Sequence, residues 1–496
     1  MSPIGPSRCV RQMILLITAS ALIVSPQLVA LPAQAAEDPG LVSKLNSVLS
    51  DPRAQRARTG AVVLDAHTGD LLYSRLGTRA LMPASNTKIV TAVAAMHALT
   101  PTYRFKTLVI RRGDVVGGTL KGRLYLKGYG DPTTRQADFA RLAAQVRSAG
   151  ITRVEGSLIV DSSYFDHQRY NPGWRTSYAS QYYAAQISAL TVSPNSDLDS
   201  GTVFVRFTPR RHGQRAKITT FPAAAANYVK IINRTTTSSR GSSTTFSAHR
   251  AYGTNTITVR GRVPTGRSTG SRLITVNRPE LYAGAVFRAE LAKLKITVDG
   301  PTKIFSTPSG RRTVLGSDRS MQLSDLLVPF LKLSNNMHAE ALTKAMGRLN
   351  GGSGTWKDGL AVTRSYLKSV GVPMSGITLT DGSGLTRRNT VTPLALTTTL
   401  QRVQKEDWWP QFYASLPVAG NRERMVGGTL RYRMDDAYAR NNARGKTGTL
   451  SGVTALSGYV TGGDGRTYVY STISNFSGST PRPVEDRFVI ALARHR

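Results

Sequence analysis

Pro83-Ala84-Ser85-Asn86-Thr87-Lys88 opens a segment in which Ile89, Val90, Val93, Ala94, Met96 and Leu99 recur at helical spacing. Pro83 breaks whatever precedes it, which puts Ser85 in the first turn of the predicted helix. A hydroxyl there lies among backbone N–H groups that lack partners inside the helix, beside the positive end of the helix dipole. Lys88 projects from the same face one turn later and reaches back to that hydroxyl. The pattern sets a nucleophile beside its own base. Ser-x-x-Lys is short, and a second copy stands at Ser365-Tyr366-Leu367-Lys368. No breaker precedes Ser365, so that copy reads as a solvated helix surface.

The 496 residues exceed one ordinary core, so two or more domains are expected. Arg8 and Arg11 precede an apolar run over residues 13–24, and Ala33-Gln34-Ala35 offers small residues at signal-peptidase positions. Residues 1–35 are therefore expected to be a cleaved secretory signal, which places the mature protein outside the cell, facing the wall. The apolar run is short for a bilayer span, and Pro26 and Pro32 follow it. The one cysteine, Cys9, lies inside that segment, so disulfides, thiol nucleophiles and cysteine metal sites are excluded from the mature chain. Seven histidines show no ligand spacing, and neither metal nor cofactor is expected. Catalysis is left to hydroxyls, lysines, amides and carboxylates. The net charge of +36 would ordinarily raise nucleic acid as a partner, but a secreted chain without a nucleic-acid motif points instead to anionic wall polymers or a phospholipid surface. Solubility alone explains the charge equally well.

Along the chain, a helix is expected over residues 41–49, then strands at 60–65 and 71–74 joined by the turn His67-Thr68-Gly69-Asp70, leading into the Ser85 helix. From Tyr103 the texture changes to short strands and Gly- and Asp-rich turns, interrupted by a helix over residues 138–149. Residues 201–263 are rich in Thr, Ser and Arg and read as mostly β; a helical pattern resumes over 281–294. Helices follow at 324–333, 337–349, 360–370 and 392–404, with Ser334-Asn335-Asn336 at the first junction. The chain ends in a β-meander over residues 445–475 and an amphipathic helix at 484–493. Helix and sheet elements on both sides of a β-rich middle predict one α/β domain split by a long insertion.

Acyl transfer needs more than a nucleophile and a base. Ser334 can pass a proton to a leaving amine, and Asn336 can bind a substrate amide. Lys446 beside Thr447 suits a carboxylate. Gly448 clears a strand edge for a substrate to pair along its backbone. Ser-x-Asn also occurs at Ser193-Pro194-Asn195, where it reads as a turn, and Ser334 has the alternative of capping a helix. The three motifs in this order, each in a fitting local setting, converge on one catalytic reading.

With these motifs the sequence resembles the penicillin-binding proteins and serine β-lactamases. More closely it resembles the D-alanyl-D-alanine carboxypeptidase/endopeptidase family of low-molecular-mass class C, peptidase family S13. The resemblance rests on Thr68-Gly69, Pro83-Ala84-Ser85, Gly130-Asp131-Pro132, the stretch from Tyr183 to Thr191, Asp381-Gly382-Ser383-Gly384-Leu385, the stretch from Ser415 to Gly420, and that from Lys446 to Gly458. It implies an α/β fold of serine β-lactamase/transpeptidase type, an antiparallel sheet flanked by helices, split by a β-rich insertion of two further domains. The expected boundaries are 36–102 and 301–496 for the transpeptidase-like domain and 103–300 for the insertion. It also implies Ser85 as nucleophile, Lys88 as its base, Ser334 and Asn336 as second motif, and Lys446, Thr447 and Gly448 as third, with Thr449 lining the substrate. The backbone N–H groups of Ser85 and Thr449 form the implied oxyanion hole. The implied ligands are peptidoglycan stem peptides ending in D-Ala-D-Ala and β-lactam antibiotics. Two features depart from the family pattern: Asn335, where many relatives have aspartate, and a longer loop at 421–428. A serine β-lactamase is the alternative, although no Glu-x-x-x-Asn stands between the second and third motifs; a non-catalytic wall-binding or β-lactam-sensing protein is the second.

Overall fold

The strand Arg58–Asp65 is apolar at most positions, as suits a strand covered on both faces. In the computed structural model, which describes residues 38–496, it lies within a five-stranded antiparallel sheet. The strand order is Arg444–Leu450, Val453–Thr461, Thr467–Asn475, Arg58–Asp65, Leu71–Arg75, so the two ends of the sequence build one sheet. The expected signal, residues 1–35, lies outside the described residues. Because side chains alternate along a strand, Val62 and Leu64 enter one core and Ala61 and Val63 the other. The first core is closed by the helices Thr87–Leu99, Asn336–Asn350, Trp356–Ser369 and Pro393–Arg402; the second by Pro39–Leu49 and Arg482–Ala493. This is the expected α/β arrangement of an antiparallel sheet flanked by helices. No helix among the described residues is long and apolar enough to cross a membrane.

Between the Ser85 helix and the second motif the chain forms other sheets. Lys106–Val116 and Thr119–Gly128 make an antiparallel hairpin, and Thr119–Gly128 then pairs in parallel with Leu158–Asp161, which pairs in parallel with Thr302–Ile304. The helices Gln136–Ser148 and Pro279–Lys293 cover this sheet through Phe139, Leu142, Phe287 and Leu291. Thr313–Arg319 pairs with Lys106–Val116, which carries the sheet past residue 300, where the sequence reading ends the insertion. Residues 202–275 add two three-stranded sheets. Phe207 from one stacks on Phe246, beside the other, at 4.0 Å.

The helices Asn336–Asn350 and Trp356–Ser369 cross at glycine. A Cβ on Gly359 would stand 1.8 Å from the Thr343 carbonyl oxygen, and one on Gly347 would stand 2.7 Å from the Gly359 nitrogen. The contact is backbone on backbone, so no side chain can move aside to make room. Gly359→Ala is therefore expected to separate the helices and destabilise the fold by about 1–3 kcal/mol. In urea unfolding the midpoint should fall at unchanged slope; an unaltered midpoint would contradict the crossing.

Candidate active site

The turn Ala84–Asn86 is a short 3-10 helix that feeds directly into the Thr87–Leu99 helix, so Ser85 sits just ahead of the expected first turn. Ala84 adopts φ +47°, a left-handed conformation that costs a non-glycine residue about 1–3 kcal/mol and persists only where the surroundings enforce it. Three contacts do so. Thr87 Oγ1 donates to the Ala84 carbonyl at 3.0 Å, and Asn86 Nδ2 donates to Ser457 Oγ at 2.8 Å. Gly384, at φ +79°, lies so close that a Cβ there would stand 1.8 Å from the Ala84 carbonyl oxygen. Gly448 packs from the other side, where a Cβ would meet the Pro83 carbonyl oxygen at 2.4 Å. The space left by its missing side chain is thus taken by the serine turn, a use additional to the substrate edge expected from the sequence.

Lys88 Nζ lies 3.0 Å from Ser85 Oγ, 2.6 Å from Asn336 Oδ1 and 2.8 Å from the Ser383 carbonyl oxygen. Lys446 Nζ donates to Ser334 Oγ at 2.9 Å and to the Thr447 carbonyl at 2.8 Å. The two lysines therefore tie Ser85, Asn336, Ser334 and Thr447 into one cluster drawn from three distant stretches. Thr449 follows Gly448 on the edge strand of the sheet, with its side chain exposed. Ser334 sits at φ +59° between two helices. It does not cap the second of them: Asn335 Oδ1 does, accepting from the N–H groups of Met337 and His338 at 2.9 and 3.3 Å. Asn336 Nδ2 donates to the Tyr183 carbonyl at 2.8 Å, which uses one of its two N–H groups and leaves the other for a substrate. In the second Ser-x-x-Lys copy Ser365 and Lys368 lie exposed on the Trp356–Ser369 helix, while Ser193 bridges to Arg135 and Pro194-Asn195 bend into the turn that follows.

Both lysines are fully buried. Burial penalises the ammonium form and pulls Lys88 down to about 7, against the opposing pull of the Glu340 and Asp381 carboxylates. Lys446 is also pulled well below the ordinary lysine value, by burial and then by Lys88. A neutral amine has two hydrogens and one lone pair. The Asn336 and Ser383 oxygens take the two hydrogens of Lys88, which leaves the lone pair toward the Ser85 hydroxyl. This arrangement can accept the serine proton as the oxygen attacks.

Comparison with known proteins bears on what the cluster serves. The family model described as D-Ala-D-Ala carboxypeptidase 3 (S13) matches residues 41–495. The chain belongs to the S13 D-Ala-D-Ala carboxypeptidase family. Within it, the D-alanyl-D-alanine carboxypeptidase of Actinomadura sp. strain R39 is 39% identical over 460 residues, 91% of this chain and 84% of that one. The crystal structure of penicillin-binding protein 4 (dacB) from Haemophilus influenzae superposes with a TM-score of 0.77 at 22% identity, covering 90% of this chain and 97% of that one. The same protein complexed with a β-lactam gives a TM-score of 0.73 over 90% and 98%. These superpositions establish the fold. The fold and family read from the motifs are therefore right, and the chain is an enzyme of the D-Ala-D-Ala carboxypeptidase class.

The cluster rests on buried residues to which the motif reading gave no role. Glu340 lies one turn beyond Asn336 on the same helix face, fully buried. It accepts from the Gly382 and Ser383 N–H groups at 3.0 and 2.9 Å and from Trp356 Nε1 at 2.7 Å. Asp381 accepts from the Gly384 and Thr386 N–H groups, both at 2.7 Å, from Trp174 Nε1 at 2.8 Å and from Asn389 Nδ2 at 2.9 Å. Two carboxylates thus fix the turn whose Ser383 carbonyl holds Lys88. The i, i+4 spacing of Asn336 and Glu340 is the sequence signal that could have found the first. Burial raises the Glu340 carboxyl, and nearby Asp381 raises it further. Replacing Glu340 by Gln removes a negative charge that favours the Lys88 ammonium and leaves one N–H of the turn facing an amide N–H. In Glu340→Gln, acylation is expected to slow about tenfold while the acid limb of its pH profile moves down by about one unit. Stopped-flow measurement of β-lactam acylation across pH 5–9 checks both; a limb that moves upward contradicts the electrostatic role.

Proposed function

We propose that this chain is a serine-type D-alanyl-D-alanine carboxypeptidase and DD-endopeptidase of peptidoglycan, working through an acyl-enzyme on Ser85. The observation that carries the reading is the fully buried Lys88 amine, 3.0 Å from Ser85 Oγ and held near a pKa of 7. Ser85 Oγ attacks the carbonyl of the penultimate D-alanine while neutral Lys88 takes the hydroxyl proton. The developing oxyanion lies between the backbone N–H groups of Ser85, at a helix start, and of Thr449, on an edge strand. The terminal carboxylate is bound by Lys446 and Thr447, and Asn336 and the Gly448 strand edge hold the acyl portion. As the C–N bond breaks, the Ser334 hydroxyl hands its proton to the leaving amine and regains one from Lys446 Nζ, 2.9 Å away, and the proton that Lys88 took from Ser85 passes on to Lys446, which returns Lys88 to its neutral form. Water then attacks the ester while Lys88 takes one of its protons, the acyl C–Oγ bond breaks, and Lys88 returns that proton to Ser85 Oγ as the acid product leaves. A β-lactam acylates the same oxygen by opening its ring.

The substrate places the reaction outside the cytoplasmic membrane, in line with a secretory signal over residues 1–35. The split expected from the sequence, with an insertion between the Ser85 helix and the second motif, is retained here with its end moved to the strand Thr313–Arg319. Within that insertion Arg111, Arg112, Arg123, Arg311 and Arg312 surround a cleft of about 410 Å³ with one acid, Asp114. Five arginines against one acid leave the cleft with a positive excess that concentrates anions, which supports an anionic wall polymer as partner.

Lys88→Ala is expected to lose at least a hundredfold in D-alanine release and in labelling by a fluorescent penicillin, with an unchanged circular dichroism spectrum. Lys88→Arg should fail nearly as badly, because a guanidinium does not shed its proton. Normal labelling of either variant would overturn the reading. Rapid release of a chromogenic cephalosporin by the wild-type chain would favour a β-lactamase instead.

A further inference from the structure

A cavity of about 380 Å³ opens beside Ser334 and Asn336, within the range of ~300–1,000 Å³ typical of ligand pockets. Gly448 and Thr449, on the strand edge that holds the acyl portion in the reading above, do not line it, while Asn336 does. Its lining includes Thr429, whose Oγ1 accepts from Thr447 Oγ1 at 2.8 Å. Ser334, assigned to the leaving amine, thus lines this cavity, and Thr447, assigned to the terminal carboxylate, touches its wall through Thr429.

The cavity is far larger than the methyl group of a D-alanine leaving group requires. Its walls come from three parts of the chain: the inserted segment, the junction at residues 332–337 and the stretch at 424–432. Arg424 stands on the short helix Arg424–Gly427, inside the loop at 421–428 that the sequence marks as longer than usual in the family. Arg424 makes an ion pair with Asp197, from the inserted segment, so the pair bridges the cavity wall. Asp199 and Arg431 add one further charge of each sign to the lining. Asn195 Nδ2 donates to Asp199 at 2.7 Å, and burial draws the Asp199 carboxyl up to about 6, so it is poorly hydrated and suited to an N–H donor. A lining of both signs suits a leaving group with a long side chain that carries both hydrogen-bond donors and a carboxylate or carbonyl.

We infer that this cavity is the leaving-group subsite, and that the Arg424–Asp197 pair selects D-amino acids with long, amide-terminated side chains, the chemistry of a cross-linked stem peptide, over D-alanine. The inference rests on the peptidase reading and assigns where the difference between carboxypeptidase and endopeptidase action is decided. The reaction is the same hydrolysis. The bond between the D-alanyl carbonyl and the departing α-amine breaks, the Ser85 ester forms, the amine takes a proton, and water releases the acyl product.

The test compares two synthetic peptides, diacetyl-L-lysyl-D-alanyl-D-alanine and the same peptide with Nε-acetyl-D-lysine in the last position. Release of each amine gives kcat/KM for the wild-type chain, Arg424→Ala, Asp197→Ala, the exchanged pair Arg424→Asp with Asp197→Arg, and Arg312→Ala as a control outside the cavity. The ratio of long to short leaving group is expected to fall about tenfold in both single variants, mostly through KM, and to recover partly in the exchanged pair. The Arg312→Ala ratio should match wild type. The exchanged pair also guards against a single variant that folds poorly, since it restores the ion pair. Wild-type release of D-alanine with ratios unchanged within twofold across the Arg424 and Asp197 variants overturns this inference alone. Release of neither amine by the wild-type chain overturns the peptidase reading, and this inference with it.

Discussion

One amine held out of water governs the rest of the structure. Lys88 has no exposed surface, and its partners come from three regions: Ser85 on its own turn, Asn336 on a helix nearly 250 positions later, and the Ser383 carbonyl beyond that. Placing a lysine there is costly while it is charged, and the cost falls when it is neutral. The fold therefore favours the protonation state in which the residue can act as a base. The opposing carboxylates of Glu340 and Asp381 keep the amine from being so weak a base that it could not take the serine proton.

That balance demands close backbone approach. Ala84 and Ser334 both hold left-handed backbone, Gly384 presses on the Ala84 carbonyl, and Gly448 presses on that of Pro83. Strain of this kind concentrates where the surroundings over-determine geometry. Here the surroundings include the sheet formed from both ends of the chain, which fixes Lys446 against the turn that carries Ser85. The inserted segment adds its own clamps on the back of the site. Trp174 donates to Asp381, and Lys344 pairs with Asp166 while lying 3.9 Å from the centre of the Trp356 ring. The insertion therefore contributes to the site's rigidity as well as to the walls around it.

Much of this was legible in the residues. The helix following Ser85 is marked by an apolar stripe and a breaker, and the terminal meander by alternating strands with Gly-rich turns, because both depend on near neighbours in sequence. The three short motifs carry their chemistry in residue type and local setting, so they could be found without knowing the fold. What escaped were relations between distant positions. Thr313–Arg319 shows little alternation, and nothing in it reveals its partner at Lys106–Val116. Asn335 reads as a departure from the family and proves to be a helix cap. Glu340 looks like one more acid on a helix until the turn at Gly382 and Ser383 arrives to be held by it. Gly448 reads as clearing a strand edge for a substrate; that its missing side chain also admits the serine turn is something only packing reveals.

The direct measurement is the titration of Lys88 itself, followed by nuclear magnetic resonance in protein labelled at the lysine ε-carbon. One resonance, missing from Lys88→Met, is expected to change near pH 7, as burial of the amine requires. If the resonance lost in that variant titrates at the ordinary lysine value of about 10.4, Lys88 is charged at neutral pH and cannot be the base that activates Ser85.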